Sequence, residues 1–320
     1  MPFYEDLKVF TGNAHRKLAM DICSYLDIPL GNCEVFKFSN DNTFVRILEN
    51  IREQDVFLVQ PIAYPVNDHL MELLIMIDAA KRASAGRITA VVPYFAYARS
   101  DKKDQPRVPI TARLVANLIE TAGADRVLTL ELHAGQIQGF FNIPLDELSA
   151  IPRLAQDFKN RDVGNDIVVV ATDAGDAKRA RNMAQRLDAP LAIVEKVRLG
   201  NQERVESTTL IGDVRDKSAI IVDDEIGTGG TVIATANTIR SRGARDIYCY
   251  AAHPVLSGEA ARVLENSIIK ELVVTDSLPI PAEKMGKKTS LISVAPLLGE
   301  AIQRIHSGTS VGAMFNGGSA

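Results

Sequence analysis

The sequence predicts an α/β protein built as two similar units in tandem, each with a mainly parallel sheet flanked by helices. Three observations predict it. Short apolar runs alternate with longer amphipathic ones along the chain, the pattern of parallel strands joined by crossover helices. The chain has 320 residues, enough for about two domains of ordinary size. Residues 11–30 (TGNAHRKLAMDICSYLDIPL) also align with residues 172–191 (TDAGDAKRARNMAQRLDAPL), both reading as loop, helix and Leu-Asp-x-Pro-Leu. Such recurrence implies two copies of one fold.

The apolar runs predict strands over 8–10, 34–38, 55–60, 88–92, 127–132, 166–171, 191–195, 219–224, 246–251 and 271–275. The 3.6-residue periodicity predicts helices over 14–26, 69–83, 111–121, 177–187, 231–241, 258–266 and 294–305,. A division near residue 148 gives domains over 1–148 and 149–306, followed by a tail over 307–320 whose Gly/Ser-rich end is expected to be disordered,. The run from Leu70 to Ile77 is apolar nearly all round, as in a helix buried in a core or an interface,.

Composition narrows the function. The chain is 46% hydrophobic and 24% charged with a net charge of −4, which gives no reason to expect nucleic acid or an anionic membrane surface as partner. Cys23, Cys33 and Cys249 are scattered, with no paired or Cys/His metal spacing. This excludes a disulfide framework and a zinc site, and fits a reducing, cytoplasmic setting. The N-terminus lacks an apolar leader, and the longest apolar stretch, interrupted by Asp78, is too short to span a bilayer,.

The strongest local signal is residues 219–231, AIIVDDEIGTGGT. A buried strand ends in two carboxylates, and Gly227, Thr228, Gly229, Gly230 and Thr231 then open a helix. Glycines let the backbone turn tightly and aim N–H groups at an anion, and the helix start adds partial positive charge. That arrangement suits a phosphate monoester, with Asp223 and Asp224 placed to bind sugar hydroxyls or a divalent metal. No Walker motif is present,. The first copy has Gln60 and Pro61 where the second has its acids, so one site is expected in the second half, with the first half contributing from across the interface between them.

Residues 97–107, YARSDKKDQPR, gather Arg99, Lys102, Lys103 and Arg107 in a polar segment broken by Pro106. Arg forks and Lys point charges suit phosphate oxygens, although a solvated loop is the common case. Strand alternation sets Lys196 and Arg198 on one face of an extended segment. His133 follows the strand VLTLEL, where a lone His is more often structural than a ligand. His15, His69, His253 and His306 have no metal spacing among them and are expected to serve structure.

The turn after Asp223 and Asp224 resembles the ribose-5-phosphate loop of the phosphoribosyltransferase fold. KFSN (37–40), NDHLMELLIMI (67–77), PYFAYARSDKK (93–103), ELHAGQIQGFFNIP (131–144), TDAGDAKRA (172–180), HPVLSG (253–258) and KELVVT (270–275) narrow the likeness. By these motifs the chain resembles the ribose-phosphate pyrophosphokinases of class I type, over nearly its whole length. The resemblance implies two phosphoribosyltransferase-like domains and transfer of the pyrophosphoryl group of ATP to ribose 5-phosphate. It implies catalytic roles for Lys196 and Arg198, and ATP contacts from Phe38, Asn40, Arg99, Asp101, Lys102 and His133. It implies ribose-5-phosphate contacts from Asp223, Asp224 and residues 227–231, and a pyrophosphate loop of Asp173, Ala174, Gly175 and Asp176. It further implies Mg²⁺ held by His133 and Asp173, a phosphate/ADP effector site at Arg52, Ser84, Arg107, Ser310 and Val311, and a homohexamer. The chain departs from the family pattern at Asn42, Asn50, Ser100, Asp176 and Gly227. Asn42 and Ser100 leave open an altered nucleotide donor. Asp176 and Gly227 leave open a non-catalytic regulatory homologue.

Overall fold

The computed structural model describes residues 6–198 and 206–314, with side chains left out at 196–198 and 206–208. The tail expected to be disordered from Gly317 lies outside the described residues. The first unit takes the chain up to Ser149, Ser277–Pro279 and the segment from Ser293 onward; the second takes Ala150–Asp276 and Ile280–Ile292.

In chain order the first half runs β1 (Leu7–Thr11), α1 (Arg16–Leu26), β2 (Cys33–Lys37), β3 (Thr43–Ile47), β4 (Asp55–Val59), α2 (Val66–Arg82), β5 (Arg87–Val92), α3 (Thr111–Ala122), β6 (Arg126–Leu130) and β7 (Leu145–Leu148). The second half runs α4 (Ile151–Lys159), β8 (Ile167–Ala171), α5 (Ala177–Leu187), β9 (Leu191–Arg198), β10 (Glu206–Ile211), β11 (Ser218–Glu225), α6 (Gly230–Ser241), β12 (Ile247–His253), α7 (Ala260–Glu265), β13 (Glu271–Thr275), β14 (Thr289–Ile292) and α8 (Ala295–Ser307).

The first sheet has the order β1-β4-β5-β6-β7 and is parallel throughout. The second has the order β10-β9-β8-β11-β12-β13-β14, parallel except for the edge pair β9–β10. Helices cover both faces of such a sheet, so its central strands are continuous apolar runs. Every residue of β4 and β11 is buried.

The two units repeat each other element by element. β8, β11, β12, β13 and β14 stand in the order of β1, β4, β5, β6 and β7. The antiparallel pair β9–β10 answers to β2–β3, which forms a separate two-stranded sheet in the first unit. The repeated Leu-Asp-x-Pro-Leu is a helix stop. α1 and α5 both end on an aspartate in the left-handed conformation, Asp27 (φ 57°) and Asp188 (φ 51°). A short polar side chain tolerates that conformation better than most, and it lets the cap N–H reach back to the last carbonyls.

Several expectations are corrected. The strand expected to stop at residue 195 runs on to Arg198, because pairing with β10 continues it. β11 runs from Ser218 to Glu225, one residue longer at each end than expected, with both aspartates inside it as the sequence placed them. α4, β3, β7, β10 and β14 are additional to the expected elements, and β7, β10 and β14 carry few apolar residues. The helix expected over 294–305 in the second domain belongs to the first unit, where α8 packs against α1. In α2, Leu70, Leu73 and Ile77 are buried within the chain, and Met71 is 49% exposed.

Candidate active site

The site in the second unit is assembled by strand register. Ala171 at the end of β8 lies opposite Val222 of β11 and Ile193 of β9. These three strands are parallel, so the 172–176 turn, the Asp223–Asp224 pair and the continuation of β9 through Lys196 and Arg198 leave one edge of the sheet. Loops beyond the carboxyl ends of such strands are where open α/β sheets bind ligands. Lys196 lies opposite Thr208 and Arg198 opposite Glu206 on β10.

The acids of β11 are deeply held. Asp223, Asp224 and Glu225 are all buried. The N–H of Asp224 donates to Oδ1 of Asp223 and that of Glu225 to Oδ1 of Asp224, both at 2.9 Å. Asp176 joins them: carboxylate oxygens of Asp176, Asp223 and Asp224 all lie within 4.8 Å of one another. Burial, together with the charges of Asp176 and Asp224 and a hydrogen bond that the protonated acid donates to Asp224, pushes the Asp223 carboxyl well above the usual carboxylate range,. Asp176 is raised too, first by burial and then by Asp224, against the opposing pull of Arg179 and the Thr172 hydroxyl.

Asp176 is therefore not a bare charge in an anion loop. It is the N-cap of α5; Oδ2 accepts from Thr172 Oγ1 at 2.9 Å, and Oδ1 accepts from Arg179 Nη1. Arg179 was not singled out in the sequence, although its spacing of three from a helix-start aspartate was the available signal. Asp173, the expected metal partner, is exposed and outside the carboxylate cluster; its Oδ1 accepts the Asp176 N–H at 3.0 Å. Ala174 and Gly175 are exposed beside it.

The glycine-rich turn follows directly. The Ile226 N–H donates to the His253 carbonyl (2.8 Å), and the Ser257 N–H donates to the Gly227 carbonyl (3.0 Å), so the turn is tied to the chain after β12. Gly229 is the N-cap of α6 at φ 80°, with no side-chain capping bond. A side chain there would be strained by the backbone and would also press on Leu264,. Thr228, Gly230 and Thr231 are exposed at this helix start, where backbone N–H groups have no helical acceptor.

The remaining expected residues lie in the first unit. β5 and β6 are parallel neighbours, so the loops after them, carrying Arg99, Asp101 and Lys102 and then His133, leave one edge. Arg99, Lys102 and His133 are exposed. Ser100 anchors the first loop: its carbonyl accepts the Ala112 N–H (3.2 Å) and its hydroxyl meets Thr111 Oγ1 (3.3 Å). Phe38 is 49% exposed rather than packed in a core. It forms an aromatic cluster with Phe36 and Phe44 at centroid distances of 5.3 and 5.5 Å on the β2–β3 hairpin, whose tip carries exposed Asn40.

Among the expected effector residues, the Arg52 and Ser84 turns meet through the Glu53 N–H and the Ser84 carbonyl (2.9 Å). The Ser310 carbonyl accepts from Arg304, Val311 is buried, and Arg107 is exposed at φ 68°. His69 Nδ1 meets the Ala63 carbonyl at 3.0 Å, a structural contact. Among the described residues, no helix is long and apolar enough to cross a membrane.

Residues 7–123 match the model of the N-terminal domain of ribose phosphate pyrophosphokinase, and residues 201–316 match the phosphoribosyl synthetase-associated domain. The chain is 51% identical to the ribose-phosphate pyrophosphokinase of Caldanaerobacter subterraneus over 98% of its own length and 99% of the relative's. It is also 51% identical to that of Agrobacterium fabrum, over 97% and 100%. The crystal structure of phosphoribosylpyrophosphate synthetase from Mycobacterium smegmatis superposes with a TM-score of 0.89 at 41% identity, covering 94% of this chain and 99% of that one. With both family regions matched and relatives aligned end to end, the chain belongs to the ribose-phosphate pyrophosphokinase family.

Proposed function

We propose that the protein transfers the pyrophosphoryl group of MgATP to the 1-hydroxyl of ribose 5-phosphate, giving phosphoribosyl pyrophosphate and AMP. The observation that carries this reading is the meeting of Asp223 and Asp224 with the 227–231 turn at one sheet edge. The exposed N–H groups of that turn take the sugar's terminal phosphate, while the two carboxylates accept hydrogen bonds from its ring hydroxyls. The 1-hydroxyl oxygen forms the new bond to the β-phosphorus, and the bond from that phosphorus to the α–β bridging oxygen breaks. AMP leaves with the bridging oxygen, and the hydroxyl proton passes to solvent. Lys196, Arg198 and Arg99 stabilise charge on the moving group, so catalysis is alignment and electrostatics rather than covalent chemistry.

Mg²⁺ suits the donors present, since the cation prefers hard oxygen and the clustered Asp176, Asp223 and Asp224 offer three carboxylates,. These residues would hold it, together with the His133 and Asp173 that the family likeness implies. When bound, it supplies positive charge against the phosphate oxygens. Phe38 and Asn40 are assigned to the adenine, and Asp101 and Lys102 to the triphosphate. Residues 173–176 are assigned to the pyrophosphate. Arg52, Ser84, Arg107, Ser310 and Val311 are assigned to phosphate or ADP as effectors, within a cytoplasmic homohexamer.

A coupled assay for AMP release with ribose 5-phosphate, ATP and Mg²⁺ tests the reading. Release by the purified chain, lost in Lys196→Ala, is the expected result. No release from the wild-type chain would overturn it.

A further inference from the structure

The loop after β1 repeats, in the first unit, the design of the 172–176 turn. In the aligned repeat Thr11 answers to Thr172 and His15 to Asp176, and His15 and Asp176 are the N-caps of α1 and α5. Register extends the likeness to the next strand. Phe10 lies opposite Leu58 as Ala171 lies opposite Val222, so Gln60 takes the place of Asp224.

The occupant of the loop is what differs. Glu72, from α2, is only 4% exposed. Its Oε2 accepts the Asn13 backbone N–H at 3.0 Å and Gln60 Nε2 at 2.8 Å, and its Oε1 accepts Asn13 Nδ2 at 2.7 Å. Gln60 is fully buried, and its Oε1 accepts the Ala14 N–H at 3.4 Å. A Cβ on Gly12 would sit 2.8 Å from Glu72 Oε2 and from both polar atoms of Gln60, so only glycine lets the loop close this tightly. Main-chain and amide N–H groups converging on one oxyanion is how a loop at a helix start holds a phosphate. Here the oxyanion is part of the chain.

We propose that the first unit carries a second anion cradle whose permanent occupant is the Glu72 carboxylate, so that of these two cradles the one in the second unit is open. Small oxyanions, carboxylate or phosphate, enter the first cradle once that side chain is removed. The inference rests on the first unit's own geometry and goes beyond the proposed reaction.

Thermal unfolding of the full-length wild type, Glu72→Ala and Glu72→Gln tests it, in formate, phosphate, or chloride of matched ionic strength. Glu72→Ala should melt below the wild type. Formate and phosphate should raise its Tm saturably, by more than they raise the wild type's, with no such rise in chloride. Glu72→Gln keeps the cradle filled, so its response should match the wild type's. Equal anion responses in Glu72→Ala and the wild type would overturn the proposal and reduce Glu72 to a structural hydrogen-bond partner. If Glu72→Ala cannot be purified, Glu72→Ser gives the same two readings. Wild-type AMP release, measured on the same preparations, separates failure of the proposed reaction from failure of this inference.

Discussion

Nδ1 of His306 lies 2.9 Å from Oδ2 of Asp55, a carboxylate with no exposed surface, across 251 residues of sequence. Arg87 closes on the same carboxylate through Nε (2.8 Å) and Nη2 (2.5 Å), and Nη2 also donates to the Ile305 carbonyl at 2.9 Å. The end of α8 is thus fastened to the first residues of β4 and β5. Removing Arg87 takes the guanidinium from a buried carboxylate that keeps His306 beside it, and breaking such a buried pair costs about 3–5 kcal/mol,. Arg87→Ala is expected to lose stability on that scale in urea denaturation.

Asp223 predicts an unusual pH dependence. Its carboxyl is raised in the folded protein by burial and by Asp176 and Asp224, so between the unfolded and folded pKa values the native state binds more protons than the unfolded one. Stability contributed by this group is therefore greatest at acid pH and falls as pH rises through that window. Asp223→Asn keeps an oxygen for the Asp224 N–H and removes the charge. In chelator-treated samples it should melt above the wild type near neutral pH, with the gap narrowing toward pH 4, while AMP release is lost.

Lys196 is proposed to act on charge that develops during transfer. Lys196→Ala should lower kcat by about 10²–10³, the scale seen when one such donor is removed, with little change in KM for ribose 5-phosphate. Steady-state kinetics with each substrate varied in turn makes the distinction.

Phe38 stands on an exposed aromatic cluster, suited to a flat ring. Losing a base–aromatic stack costs about 1–3 kcal/mol. Phe38→Ala should raise KM for ATP on that scale and leave KM for ribose 5-phosphate unchanged.

Chelation of divalent cations should abolish AMP release, and added Mg²⁺ should restore it. Asp224→Asn should raise the Mg²⁺ concentration needed for half-maximal rate, measured by titration at fixed ATP.

The fold was legible where the chain is locally consistent. The four-residue apolar run of β11, residues 219–222, marks a buried strand, and the repeated Asp27 and Asp188 helix stops announce two copies of one unit. Asp223, Asp224 and the 227–231 turn could be recognised because they are contiguous. The setting of Asp176 was not legible. The hydrogen bonds it accepts from Arg179 and Thr172 are local, but its approach to Asp223 and Asp224 depends on β8 and β11 being neighbours. Glu72 was hidden for the same reason: 59 residues separate it from Asn13, and a polar side chain in an apolar helix stretch reads as solvent-facing until the strand beneath it is known. The home of α8 escaped because sequence order suggests that a helix serves the sheet it follows.

The chain leaves each sheet before that sheet is fully covered. α4 follows β7 yet lies with the second unit, and α8 follows β14 yet packs on α1. On the ribosome, α1 is complete at Leu26, almost 270 residues before its covering helix begins at Ala295,. The half made first is accordingly the half completed last, and a nascent chain stalled after residue 149 would display an apolar seam that the finished molecule hides.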